Sequence, residues 1–393
     1  MMEPQFNVDD VSKKPTGQLE DEPGLAVGVH GVVASAWNGD AAGKPEIGYA
    51  FSSDGGKTWM PPAVASPADA FGYGDPTLAT TSDGTIYLSF VAFDQNFTTG
   101  RIHLAKAAPG ATSFEPAIVI SDSTKPGPYD KPVIAVTKND TILISYTDIA
   151  ANQIMVARST DGKTFTHGQS GKSDPAPSLS MPCPAIDGGR TWVVYRGAAG
   201  VQLRWSDDDG ATFPMANALR VSPTTETDVS AEDPVCAGKG NDVWVLYGRS
   251  HDMLDPSNFN YKDYSLRLAH SSDGGATVAS IVEVRDPAPA MYAMEPAIAL
   301  EPSGTIDIAY YVGNMAEDPN GSFRLARSTD GGQTFAPSTA IASPVLLAQN
   351  RNALTWFGDY ATIVASGGRL YAAYGHNTPT PPDHISFASI PLQ

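Results

Sequence analysis

Three observations predict an all-β chain, a seven-bladed β-propeller of four-stranded antiparallel blades with the ring closed by the N-terminal strand. A two-strand phrase recurs seven times, and a polar turn phrase recurs five times. Glycine (37) and proline (32) are abundant enough to punctuate many short strands.

The two-strand phrase begins with an acidic or polar residue and usually a proline. An apolar run, a turn, and a second apolar run ending in an aromatic follow. Its copies are "EPGLAVGVHGVVASAWNGD" (22–40), "DPTLATTSDGTIYLSFVAFD" (75–94), "KPVIAVTKNDTILISYTD" (131–148), "CPAIDGGRTWVVYRG" (183–197), "DPVCAGKGNDVWVLYGRS" (233–250), "EPAIALEPSGTIDIAYYVGN" (295–314) and "DYATIVASGGRLYAAYGHN" (359–377). Each reads as a hairpin of β-branched and aromatic residues around a Gly, Asp or Asn turn. A third strand follows, as in "QIMVARS" or "FRLARST", and a weaker fourth leads out, as in "ALRVSP" or "IVEVRD".

The polar phrase joins the third strand to the fourth: "SSDGGKTW" (52–59), "STDGKTF" (159–165), "SDDDGATF" (206–213), "SSDGGATV" (271–278) and "STDGGQTF" (328–335), with "KAAPGATSF" (106–114) as an eroded sixth. Its short carboxylate accepts backbone N–H bonds inside its own turn, glycine takes the positive φ, and the aromatic packs between sheets. That is a structural part, on the face away from the entry to the first strands. The seventh unit leaves no room for a fourth strand after "HISFASIPLQ" (384–393), so "QFNVDDV" (5–11) is expected to supply it. Residues 1–393 thus form one propeller domain with blades starting near 22, 75, 131, 183, 233, 295 and 359.

Lys and Arg number 25 against 43 Asp and Glu, and the net charge of −18 would repel phosphate backbones and anionic membranes. Nucleic acid is therefore excluded as a partner, and no apolar run reaches the roughly 20 residues of a membrane span. The polar opening "MMEPQFNVDDVSKKP" is read as the start of a trimmed, secreted or periplasmic chain, expected to be a monomer. Cys183 and Cys236 have no histidine at zinc-ligand spacing. They either bridge neighbouring strands or remain two buried thiols.

First-strand starts and second-strand ends converge on one mouth of a propeller, where a glycan or small-molecule ligand would find side chains. The starts supply Glu22, Tyr73, Asp75, Asp130, Asp233, Glu295 and Asp359, and the ends supply Trp37, Asp94, Asp148, Arg196, His251 and His376. Carboxylates can bond sugar hydroxyls while rings stack on a pyranose face. The same oxygens would suit a Ca²⁺ ion, although no cofactor is required.

The Ser-x-Asp-x-Gly-x-Thr-aromatic phrase resembles the Asp box of the bacterial neuraminidase repeat, known from sialidases and other exported propellers. The resemblance covers nearly the whole chain and implies a sialidase-like glycoside hydrolase. In that family an arginine trio clamps a carboxylate, a Tyr–Glu pair is the nucleophile, and an Asp is the acid/base. Segment 232–249 resembles the family segment in which Glu opens a strand and Arg ends its partner, which implies Glu232 as activator and Arg249 as clamp. Segment 350–361 resembles the later clamp-then-tyrosine segment, which implies Arg351 and Tyr360, and Asp40 stands at the place of the acid/base. The family's opening Phe-Arg-Ile-Pro is replaced here by Glu22-Pro23, whose carboxylate would repel that of sialic acid. A sugar other than ordinary sialic acid is therefore expected. Two alternatives accompany this reading: a uronate-directed polysaccharide lyase using His251, His376, Tyr73 and Tyr360 with Arg249, and a non-catalytic binding propeller.

Overall fold

The computed structural model describes residues 7–11, 20–41, 44–65, 70–96, 98–121, 127–172, 179–226, 233–255, 260–284, 292–314, 318–346, 358–376 and 384–392. For 7–10, 40, 41, 44, 250–255, 260–264, 292, 314, 318 and 319 it describes the backbone alone.

A strand that is apolar at nearly every position must be covered on both faces. The second strands meet that condition: Ile86–Phe93 and Ile142–Asp148 are buried along almost their whole length. The molecule covers them by stacking seven four-stranded antiparallel sheets as the blades of a propeller. The third blade is typical, with Tyr129–Val136, Ile142–Asp148, Gln153–Ser159 and Thr166–Lys172 in chain order from the axis outward. The fourth strands face solvent, and Thr166–Lys172 is exposed over most of its length.

The seven innermost strands are Glu20–Val27, Gly72–Thr80, Tyr129–Val136, Ser180–Pro184, Val235–Lys239, Tyr292–Leu300 and Thr362–Ser366. Each packs against the next in chain order, and the seventh packs against the first. The outermost strand of the seventh blade is Asn7–Asp10, with Asn7 opposite Ser389 and Asp10 opposite Ser386.

Core side chains interleave between sheets. Leu143, Ile154 and Val156 of the third blade meet Val193, Tyr195 and Phe213 of the fourth, each large apolar group contributing about 1.5–3 kcal/mol by burial. A covalent link crosses the next boundary. Cys183 and Cys236 form a disulfide between the innermost strands of the fourth and fifth blades, with Cα atoms 5.9 Å apart and 53 residues of separation. Closing a loop of that length stabilises the fold by about 4 kcal/mol in the chain-entropy model.

The repeated Asp-Gly phrase forms the same turn five times. At its last copy Ser328 Oγ donates to Asp330 Oδ1 (2.7 Å), and the amides of Gln333 and Thr334 donate to the same oxygen (3.0 and 2.9 Å). Thr334 Oγ1 donates to Oδ2 (2.6 Å), and these bonds, led by that hydroxyl, hold the Asp330 carboxyl down at about 2. Asp54, Asp161, Asp208 and Asp273 repeat the hydroxyl and threonine-amide bonds. Each turn also docks on the preceding blade: Trp244 Nε1 donates to Gly331 O and Trp192 Nε1 to Gly274 O, both at 2.9 Å. The eroded copy keeps only the packing, its Phe114 ring lying 5.0 Å from Tyr49 and 5.1 Å from Phe51 of the first blade.

Gly331 and Gly332 separate the two demands on this turn. Both have positive φ, but a Cβ on Gly331 would meet open space, whereas one on Gly332 would lie 2.7 Å from Leu268 Cδ2. Each alanine costs about 1–2 kcal/mol in the left-handed conformation, and Gly332→Ala adds about 1–3 kcal/mol of overlap with the fifth blade. Denaturant titration is expected to rank Gly332→Ala below Gly331→Ala, and equal losses would contradict docking of the turn on its neighbour.

Candidate functional site

The site begins with a backbone irregularity. Proline has no N–H to give a neighbouring strand, so inside an inner strand it favours a bulge where that N–H would be needed. The ladder skips a step between Asp21 and Gly24, Gly74 and Thr77, Asp130 and Val133, and Met294 and Ala297. At each skip the residue before proline takes a left-handed conformation: Glu22 (φ 52°), Asp75 (55°), Lys131 (55°) and Glu295 (49°). A residue before proline ordinarily avoids this region, at a cost of about 1–3 kcal/mol. Its recurrence at one place in four blades marks a built feature.

Three of these bulges deliver their side chains to a common axial cluster. The Lys131 ammonium hydrogen-bonds Asp359 of the seventh blade and lies 3.5 Å from Asp75 Oδ1 of the second. Glu22 Oε1 accepts from the Asp359 amide (3.2 Å), while Asn38 Nδ2 donates to both Glu22 Oε2 and Asp21 Oδ1 (2.8 Å each). Gly358 permits this approach, since a Cβ there would lie 2.5 Å from Glu22 Cγ. Asp130 Oδ1 accepts from the Lys131 amide (2.9 Å), and Asp233 Oδ1 accepts from the Leu179 amide (2.8 Å). The prolines contribute their carbonyls: Pro23 O accepts from Thr362 Oγ1 (2.8 Å), Pro132 O from Thr77 Oγ1 (3.1 Å) and Pro76 O from the Tyr360 phenol (3.1 Å).

Burial, with crowding of carboxylates behind it, sets their protonation. Burial pushes Asp130 up to about 8, assisted by the charge of Asp75 and a hydrogen bond shared with it, against the pull of Lys131. Burial also raises Asp233 to about 6, with Asp359 adding and Lys131, Arg196 and the Leu179 amide opposing. Glu22 is held well above the usual carboxylate range by burial, despite Lys131, with Asp75, Asp359 and Asp21 adding to the rise. Burial alone would discharge Lys131, but Asp359, Asp75, Glu22 and Asp233 together keep its ammonium well above its ordinary range. The cluster thus offers a protonated carboxyl, Asp130, and an ionised one, Asp233, around the Lys131 ammonium at neutral pH.

The sequence-derived candidates divide accordingly. Asp75, Asp130, Asp233, Asp359 and Tyr360 come together, and Arg196 is close enough to act on Asp233. Tyr360 is buried, and burial with Glu22 and Asp75 keeps its phenol well above the ordinary range. Trp37 is fully enclosed in the core, and a Cβ on Gly48 would lie 2.6 Å from its Nε1. Tyr73 packs against Phe90 (6.4 Å between centroids) and exchanges hydrogen bonds with Ala70. Asp94 accepts from Thr98 and Thr99 within its own turn, which holds it at about 2, and Asp148 accepts from the Ala151 amide (3.1 Å). His376 contacts Ser386 Oγ and Pro344 O, each at 3.2 Å. Glu295 is buried and acts on Tyr311.

Arg249 acts on Tyr247, whose phenol donates to Glu226 Oε2 (3.2 Å) inside the boundary of the fourth and fifth blades. A Tyr–Glu contact therefore exists, but on a fully buried ring. Glu232 and Arg351 lie outside the described residues, as do the side chains of Asp40 and His251. Sequence reasoning missed Lys131; the signal was "KP" standing where four of the other copies read "DP" or "EP". Among the described residues, no group of three or more His, Cys, Asp or Glu is arranged to hold a metal ion, and no helix is long and apolar enough to cross a membrane.

No family model matches the chain, and no curated protein does. Solved structures do resemble it. A protein of unknown function from Dyadobacter fermentans superposes with a TM-score of 0.57 at 16% identity, over 98% of this chain and 99% of that one. The phage phi92 endosialidase gives a TM-score of 0.57 at 10% identity, over 99% of this chain and 70% of that one. The GH93 α-L-arabinofuranosidase of Fusarium graminearum, in complex with arabinobiose, gives 0.53 at 13% identity, over 99% and 96%. At these identities the likeness establishes the fold, that of sialidase-like and GH93 propellers.

Carbon-13 NMR of labelled aspartates is expected to resolve two carboxyls titrating near 8 and near 6, assigned by Asp130→Asn and Asp233→Asn. Both values lie above that of an unfolded aspartate, so the stability contributed by these groups is complete at about pH 4 and lost as pH rises through 6 and then 8. Titration of both below 5 would contradict the burial assigned to them.

Proposed function

We propose that this propeller is an exported glycoside hydrolase that cleaves a sugar without a carboxylate, with Asp130 as proton donor and Asp233 as the ionised partner. One observation carries the reading: two half-buried carboxyls at one mouth have environments that hold one protonated and the other ionised at neutral pH. Glycoside hydrolysis requires that division, an acid for the leaving oxygen and a carboxylate for water or the anomeric carbon.

The field of the mouth supports the substrate class. Glu22, Asp75, Asp233 and Asp359 surround Lys131, with Arg196 at the edge. Such a cluster repels sialic acid and uronates alike, which favours neutral glycosides over the substrates of a lyase. The fold neighbours include glycosidases of both neutral and acidic sugars. A buried disulfide suits an oxidising compartment and supports export. Asp40, Glu232 and Arg351 are the remaining candidates for substrate contacts.

A panel of fluorogenic neutral furanosides, neutral pyranosides and sialosides, with product mass and ultraviolet absorbance both read, tests this proposal. Turnover of a neutral glycoside is expected, with rate limbs near pH 6 and pH 8. Asp130→Asn should lower kcat by about 100-fold or more without loss of folding. An unsaturated product, or a sugar bound and never cleaved, would overturn it.

A further inference from the structure

Lys131 occupies the position that Glu22, Asp75 and Glu295 hold in their own blades, in the same left-handed conformation before proline. One member of an otherwise acidic set has reversed its charge. Its side chain is only 13% exposed, and the described acidic groups that face it come from the first, second, fifth and seventh blades. Asp359 and Asp75 take its ammonium directly, Glu22 and Asp233 act on it at longer range, and Asp130 bonds its amide.

We propose that Lys131 is the positioning residue of the axial site: its ammonium is the fixed counter-ion that gathers carboxylates of the first, second, fifth and seventh blades, while its amide orients Asp130. The kinetic part of this inference rests on the reading of Asp130 as proton donor. The positional part does not.

The physical basis is charge held at the meeting of several carboxylates. Carboxylates brought together out of bulk water repel strongly, and removing a cation from a buried set leaves charge uncompensated. An ammonium is a compact point charge with three donors, so it can serve carboxylates arriving from different blades. Lys131 also touches Asp130, through its backbone amide. The amide that holds Asp130 Oδ1 belongs to the same residue whose side chain reaches across to Asp359, 228 positions along the chain. The backbone of Lys131 thus holds Asp130 Oδ1 while its side chain holds Asp359.

Thermal unfolding of Lys131→Met from pH 4.5 to pH 8.5 tests the positional claim without any need for turnover. The loss of Tm relative to the parent is expected to be small at pH 4.5, where carboxyls can take up protons, and to grow towards pH 8.5. Lys131→Arg, which keeps the charge, should recover part of the loss, and the double variant Lys131→Met/Asp359→Asn should melt above Lys131→Met at pH 8.5. A loss equal at all pH values, or a double variant that melts lower still, would overturn the proposal. If Lys131→Met does not fold, nitrogen-15 NMR of labelled lysine in Asp359→Asn decides: the Lys131 titration should move down, and an unmoved midpoint would overturn the counter-ion role. With a substrate in hand, Lys131→Met should displace the pH limbs of kcat; a uniform fall with limbs unmoved would leave Lys131 a packing residue only. Absence of turnover in the parent would defeat the functional reading and leave these stability and NMR outcomes intact.

Discussion

The mouth depends on prolines that cannot donate to the ladder and that stand, beside the axis, where four inner strands bulge. Four inner strands carry a proline at the same point, and each break throws the preceding residue into a left-handed conformation. Regular pairing would alternate those side chains between the two faces of the blade. The bulge instead aims Glu22, Asp75 and Lys131 at one another across blade boundaries. Everything distinctive about the mouth follows from that convergence: the repulsion among carboxylates, the upward drift of their protonation, and the need for an internal cation.

The opposite face has the complementary task. There the carboxylates of the Asp-Gly turns are satisfied within their own turns, by hydroxyls and backbone amides, and are held in the ionised form. Their glycines and carbonyls dock on the preceding blade. The two faces thus use the same residue type in opposite ways. Solvated and hydrogen-bonded, aspartate is a rigid brace; desolvated and crowded, it becomes an acid that can hold a proton at neutral pH. A stiff ring between the faces allows strain at the mouth to persist, because the remaining strands over-determine the backbone around it.

Much of this architecture is legible in the sequence because repetition exposes it. Seven hairpin phrases count the blades, and the Ser-x-Asp-Gly-x-Thr pattern marks the turn between third and fourth strands and its structural role. The mouth is legible as a list, since Asp75, Asp130, Asp233 and Asp359 stand at the starts of their phrases. What the list could not supply is orientation. Trp37 and Tyr73 stand beside polar ends of their phrases yet point into the core, because a residue's face depends on register rather than on neighbours in the chain. Tyr360 likewise spends its phenol on the Pro76 carbonyl, a contact between residues 284 positions apart. Lys131 escaped notice because a lysine before proline looks like a surface residue at a strand entry; only the meeting of three blades turns it into a buried cation.

The central claim is that burial and the charge of Asp75 keep Asp130 protonated against the pull of Lys131, while Lys131 and Arg196 help to leave Asp233 ionised. A neutron structure of the deuterated protein at pH 7 tests it most directly. The account predicts a deuteron on Asp130, none on Asp233 and three on Lys131 Nζ, with one of the three directed at Asp359. A bare Asp130 carboxylate, or a Lys131 ammonium turned out of the cluster towards solvent, would contradict it.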